Sequence, residues 1–174
     1  MRLKKYLFII FVFASLNAQF VSADMPHYLD FKLILNQSDA GSKAQKFLKN
    51  KIEKGLSNVQ KKEKQIQEEE KKIIQQKKLI SPEDYKKKVT SLRAKVSSLQ
   101  KERSTLLDSV SKQRLKARNE ILKALNPIIS DYMKEKKIRM VLDKKSLLLA
   151  DENLDITNDV INLLNKKLKS IKLN

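Results

Sequence analysis

Apolar residues recur at every seventh position in the first half of the chain and predict a long helix. No proline interrupts positions 40 to 80, and the repeat occupies Ile52, Val59, Ile66, Ile73 and Ile80. Such a repeat is typical of one helix in a coiled coil. The companion seam position is charged at Glu63, Glu70 and Lys77, so this helix can bury only a narrow stripe.

A second periodic run follows a short break and predicts a return helix. Its steps alternate between three and four residues, at Tyr85, Val89, Leu92, Val96, Leu99, Arg103, Leu106 and Val110. In the break at 81–84, serine can cap a helix, proline suits the first helical position, and two acids favour the positive helix end. We therefore predict an antiparallel hairpin, with Ile73 facing Val89 and Ile66 facing Val96, rather than one straight helix.

The two ends of the chain predict a small body that contains strands. Short strands are predicted at 28–31 and 138–142, and a further apolar run lies at 146–150. An amphipathic helix is predicted to open at 155–159, with Val160, Ile161, Leu164 and Leu168 on one side. These elements hide too little surface to be stable alone, which favours a homo-oligomer over a monomer.

The predicted fold class is therefore α+β, with a long antiparallel helical hairpin projecting from a small β body. The arm takes residues 38–136, with its tip near 81–84, and the body takes 24–37 and 137–174. Pro127 predicts a kink near the base of the arm. Apolar body residues are expected at the contact between subunits, foremost Val141, Leu142, Leu148 and Leu149.

The first 23 residues have the three-part pattern of a secretory signal peptide. Arg2, Lys4 and Lys5 are followed by an apolar run at 7–16 and then by small residues. Cleavage is predicted between Ala23 and Asp24. A membrane anchor is the alternative, but a spanning helix needs ~20 apolar residues and this run has only about ten.

Composition excludes several classes of protein and site. The 174 residues include two glycines, three prolines, one histidine and no cysteine. Too few glycines are present for a phosphate-binding loop, and too few turn residues for a β-sandwich or barrel. Disulfides, cysteine nucleophiles and two-histidine metal sites are also excluded. We predict no enzyme activity and no catalytic, cofactor-binding or metal site.

The arm is strongly basic. The chain carries a formal net charge of +18, and residues 61–103 hold fourteen Lys or Arg against seven Asp or Glu. Basic helices suit nucleic acid, anionic lipid or acidic protein, and secretion disfavours nucleic acid. The residues predicted to contact a client or a lipid such as lipopolysaccharide are Lys71, Lys72, Lys77, Lys78, Lys86, Lys87 and Lys88.

Short motifs at both ends of the chain resemble the Skp (OmpH-like) family of periplasmic chaperones. The N-terminal match comprises Tyr28-Leu29-Asp30, Leu35, Ser38 and Gly41-Ser42-Lys43-Ala44. The C-terminal match comprises Ile138, Met140-Val141-Leu142-Asp143, Ala150-Asp151, Asp155-Ile156-Thr157 and Val160-Ile161. A Ser-Pro-Glu-Asp-Tyr tip lies between them, and the resemblance covers residues 24–168.

The resemblance implies a homotrimer whose strands form a small body and whose helical arms enclose a cavity. Such proteins hold unfolded outer-membrane β-barrel proteins in the periplasm and need no ATP. The alternative from the residues is a structural or lipid-tethering coiled coil of the cell envelope. Stoichiometric suppression of client aggregation would separate the two functions.

Overall fold

The structure, a computed structural model, describes residues 25–173. The predicted signal peptide and its cleavage site at Ala23 and Asp24 lie outside these residues. Four helices and two strands follow in the order β1 (His27–Leu29), α1 (Phe31–Gln37), α2 (Asp39–Gln76), α3 (Pro82–Lys136), β2 (Val141–Asp143) and α4 (Thr157–Lys167). Two single 3₁₀ turns, Lys144–Ser146 and Glu152–Leu154, lie between β2 and α4.

Helices α2 and α3 form the predicted hairpin. The side chain of Ser81 caps α3 by accepting a 3.1 Å hydrogen bond from the Asp84 N–H, and Pro82 begins the helix. Helix α2 ends at Gln76, four residues before the predicted end at Ile80. The reason is a tight turn in which the Leu79 and Ile80 N–H groups both donate to the Gln76 carbonyl. Helix α3 continues through Pro127 to Lys136.

Polar contacts between the two helices recur in steps of seven residues. Gln76 accepts from Lys88 at 2.9 Å, and Glu69 lies 2.6 Å from Lys95. The next contact joins Lys62 and Glu102 at 2.5 Å. The facing positions therefore advance by one heptad in each helix, as expected for an antiparallel coiled coil. The register differs by two residues from the predicted pairing: Ile66 shares a cleft with Leu99, and Val96 is 42% exposed.

The body core lies where β1, α1 and α4 meet the last turns of α3. Its fully buried side chains include Ile34 of α1, Ile121 and Leu125 of α3, and Val160 and Leu164 of α4. The apolar face predicted for the last helix is thus buried at Val160, Ile161 and Leu164. This core fixes the base of the hairpin.

Strand β1 lies between two parallel neighbours. It pairs with β2 on one side, and on the other the Tyr28 carbonyl accepts a 2.9 Å hydrogen bond from the Ile156 N–H. The sheet itself has two strands. Its small size leaves the helices as the dominant elements of the fold.

The predicted strand boundaries need correction. Phe31 belongs to α1, because the Asp30 side chain accepts from the Leu33 N–H and starts the helix there. The second strand covers Val141–Asp143 rather than 138–142, because Lys137 ends α3 in a left-handed conformation and Ile138 packs into the body core. The apolar run at 146–150 forms no strand.

Two glycines of α2 occupy different surroundings and permit a matched stability test. A Cβ at Gly41 would lie 2.1 Å from the backbone oxygen of Leu35, so the end of α1 would have to move. At Gly55 the nearest atoms belong to the flexible end of the Leu106 side chain.

We expect Gly41→Ala to lower the free energy of unfolding by about 1–3 kcal/mol, the usual cost of overpacking. Gly55→Ala should be nearly neutral, because the helix propensity of alanine offsets the shift of Leu106. Urea titration of both variants measures the difference. Equal destabilisation by the two substitutions would contradict the close backbone approach at Gly41.

A hydrogen-bonded network joins β1 to the start of α4. The Asp155 carboxylate accepts from both the N–H and the hydroxyl of Thr157, and the Thr157 oxygen in turn accepts from the Asp30 N–H at 2.8 Å. Burial alone would raise the pKa of Asp155, but these bonds and the nearby Lys144 outweigh it and hold the pKa below its ordinary value of 3.8. The network therefore favours the ionised carboxylate.

We expect the stabilisation from Asp155 to be present above pH 3.8 and to be lost as the pH falls through its lowered folded-state pKa. Asp155→Asn should cost about 1 kcal/mol at neutral pH. The difference from the parent chain should shrink in acid, as measured by urea unfolding between neutral and acidic pH. The exposed Asp131→Asn variant is the control, and a pH-independent loss at Asp155 would refute the linkage.

Candidate functional site

The outer part of the hairpin is thinly packed. Between Val59 and Ile73, helix α2 has no fully buried side chain. On α3 the first fully buried residue after the tip is Val110. The charged seam positions Glu63 and Glu70 explain this pattern, because a carboxylate cannot be buried against a partner helix without compensation. The outer arm is therefore held by few apolar contacts.

A cleft of about 290 Å³ lies between the helices in this region. Ile66 and Leu99 contribute its apolar lining, and the ion pairs Lys62–Glu102 and Lys95–Glu69 lie at its edge. These charged side chains are 36% to 51% exposed. Ion pairs this exposed are worth little, so they guide the register without locking the helices together.

The seven predicted lysines lie at the tip end of the arm, and all are exposed. Lys71 and Lys72 lie on α2, Lys77 and Lys78 in the turn, and Lys86, Lys87 and Lys88 on α3. We call this set the basic tip surface. Consecutive helical residues point in different directions, so the lysines surround the tip rather than form one pocket. Such an array suits diffuse attraction of a negatively charged partner.

Apolar side chains are exposed among these charges. Near the tip, Ile74 is 59% and Leu79 is 81% exposed. Four further large apolar residues are exposed along the hairpin, Phe47, Val96, Leu107 and Leu115. The arm thus offers separate apolar contacts within a cationic surface.

The four residues predicted at a subunit contact fall into two pairs. Leu148 and Leu149 are almost fully exposed, at 107% and 94%, in the segment after β2. Val141 and Leu142 lie in β2 and are half-buried, and Val141 packs against the body core. The single chain therefore partly buries Val141 and Leu142 and leaves Leu148 and Leu149 in contact with solvent.

A family model described as outer membrane protein (OmpH-like) matches residues 27–164, which is most of the chain. The chain belongs to the OmpH-like family. Family membership supports a chaperone role for this OmpH-like chain, and the family resemblance drawn from the short motifs is confirmed. No curated protein matches it.

The OmpH-like fold is shared with a crystal structure from Caulobacter crescentus CB15, that of a proposed outer membrane chaperone (OmpH-like). The two structures agree with a TM-score of 0.77 at 21% sequence identity. The match covers 85% of this chain and 89% of that chain. It therefore supports the fold over nearly the whole length of both chains.

Within residues 25–173 of the OmpH-like chain, no group of three or more His, Cys, Asp or Glu side chains could hold a metal ion. Across the same residues, no helix has both the length and the apolar character needed to cross a bilayer.

Sequence reasoning missed one contact at the base of the arm. After α4 the chain turns back along the hairpin, and Leu173 is buried between α2 and α3. Ile171 and Leu173 are too few and too close to the end of the chain to give a periodic signal. Their alternation with Lys172 is the one clue that the sequence offers.

Proposed function

We propose that this chain is an ATP-independent holdase chaperone of the periplasm, which acts as a homotrimer and holds unfolded outer-membrane β-barrel proteins in a cavity between its arms. The observation that carries the proposal is the outer arm, where exposed apolar side chains are dispersed in a cationic surface. Many weak contacts of this kind retain a disordered chain without selecting one sequence.

Trimerisation is supported by the exposed edge of the body. Leu148 and Leu149 form an adjacent apolar pair in contact with solvent. Among the described residues, β2 has a strand partner on only one side. Pairing between subunits would cover both features, because an open strand edge and an apolar pair are sites of association.

The charge of the arm supports capture of an acidic client. The field of the basic tip surface raises the rate at which a negatively charged chain meets the arm. Apolar contacts then act at short range and slow release. The proposed role thus divides encounter and retention between two kinds of side chain.

The test is dilution of a urea-unfolded β-barrel protein into buffer that contains the mature chain and no nucleotide. We expect light scattering to fall to the buffer baseline at about one trimer per client. Aggregation that proceeds unchanged would overturn the proposal. If the chain instead sediments with anionic vesicles while clients aggregate, the lipid-tethering alternative is the better description.

A further inference from the structure

The last described residues form a tail that lies along the base of the hairpin. From Leu168 to Leu173 the chain has no regular structure. Leu168 and Ile171 pack against the body core, and Ile171 also contacts a second apolar cluster. Leu173 is 3% exposed within that cluster. We call the surface beneath Ile171 and Leu173 the base groove.

Small and aliphatic side chains of both helices form the base groove. Ala44 and Leu48 come from α2, and Val110 and Ala117 come from α3. The two alanines leave space between the helices that larger residues would fill. Leu173 packs among these side chains, so the groove accepts an apolar side chain from outside the hairpin.

Two hydrogen bonds join the hairpin to main-chain carbonyls of the tail. Lys43 Nζ donates to the Lys169 carbonyl at 3.0 Å, and Gln113 Nε2 donates to the Leu173 carbonyl. Gln113 is itself oriented by Lys51, which donates to its Oε1 at 2.9 Å. A third polar contact joins two side chains: the exposed ion pair between Lys169 and Asp39, at 3.3 Å.

These contacts define what the base groove recognises. It engages main-chain carbonyls and two apolar side chains at alternate positions, while the intervening Lys172 is exposed. Alternating side chains are the pattern of an extended strand. Strands of outer-membrane barrels carry the same alternation of apolar and polar residues. Recognition through the main chain tolerates many sequences that share this pattern.

The tail is also weakly enough held to exchange. Ordering the residues after Leu168 costs conformational entropy, and this cost opposes the burial of only two apolar side chains, Ile171 and Leu173. The remaining ion pair is exposed and contributes little. A tethered segment of this kind competes with external ligands through its local concentration.

We propose that the base groove is a binding site for extended segments with alternating apolar residues, that the tail occupies it in the free protein, and that a strand segment of an unfolded client displaces the tail. The nature of the client rests on the proposed function. The exchange of the tail for a peptide does not depend on the proposed function, and it is tested without a client.

The first probe is a fluorescent peptide that copies residues 166–174. We expect it to bind a chain ending at Leu168 at least tenfold more tightly than it binds the full chain, as measured by anisotropy. The same peptide with Ile171→Ser and Leu173→Ser should lose binding, and one with Lys172→Ser should retain it. Equal affinity for the two chains, or binding of the doubly substituted peptide, would overturn the proposal.

A second variant covers the case in which the shortened chain does not fold. Ile171→Ser with Leu173→Ser in the full chain keeps its length and removes the two anchors, and the same tenfold gain is expected. Circular dichroism establishes folding for both variants.

Aggregation assays on the full chain separate the two proposals. If the chain suppresses client aggregation but the peptide does not exchange with the tail, only the groove proposal is refuted. If the peptide exchanges but aggregation is not suppressed, only the holdase proposal is refuted.

Discussion

Substitution of Leu148 and Leu149 by aspartate is expected to convert the proposed trimer into folded monomers. Both side chains are exposed in the single chain, so their replacement leaves the body core of each subunit intact. In the proposed trimer they meet another subunit, and burying an unpaired carboxylate there is strongly unfavourable. We expect association to weaken by at least a thousandfold, which corresponds to about 4 kcal/mol.

The matched control is Ile74→Asp with Leu79→Asp. These residues are also apolar and exposed, but they lie at the tip of the arm. Sedimentation should show a monomer for the body variant and a trimer for the tip variant, with unchanged helical circular dichroism for both. A trimer that survives both changes in the body would place the subunit contact elsewhere.

Replacement of the seven lysines of the basic tip surface by glutamine is expected to slow client capture at least tenfold at low salt. The charges act on encounter, because electrostatic steering raises association rates by 10-fold to 10³-fold. The dissociation rate should change much less, since apolar contacts are not screened by salt. Stopped-flow binding of an unfolded β-barrel protein across a salt series measures both rates.

The control for this experiment is a second variant with the same loss of charge. It carries glutamine at exposed lysines away from the tip, Lys46, Lys54, Lys116, Lys123, Lys134, Lys166 and Lys167. If both variants slow equally, net charge rather than the tip surface drives encounter. A dissociation rate that rises in parallel with salt would mean that charge alone retains the client.

Periodicity was sufficient to predict the hairpin, because heptad spacing and the Ser81–Pro82 break are both local signals. The strand boundaries were predicted less well. At Phe31 the cap formed by Asp30 overrides the β tendency of an aromatic residue, and at Ile138 packing into the body core replaces strand pairing. The cap at Asp30 is a local contact, whereas the body core that holds Ile138 includes Ile34, more than 100 positions earlier in the chain.

The charged residues of the candidate site could be predicted from the sequence, but its exposed apolar residues could not. Lysines are exposed almost wherever they occur, so the basic tip surface follows from composition. The sequence alone does not indicate whether an apolar residue is buried. The exposed run that contains Leu148 and Leu149 is as apolar as the buried face of α4. The tail packs against positions on two other helices, which no local pattern encodes.

The length of the arm is modular, because the facing contacts repeat every seven residues. These contacts are Gln76–Lys88, Glu69–Lys95 and Lys62–Glu102. Removing or adding seven residues in each helix moves the tip by about 10 Å and returns equivalent residues to the same facing positions. Neither the cap at Ser81 nor the packing at the base is altered by such a change. In the proposed trimer, paired insertions or deletions would therefore change the space between arms in discrete increments and adapt it to clients of different size.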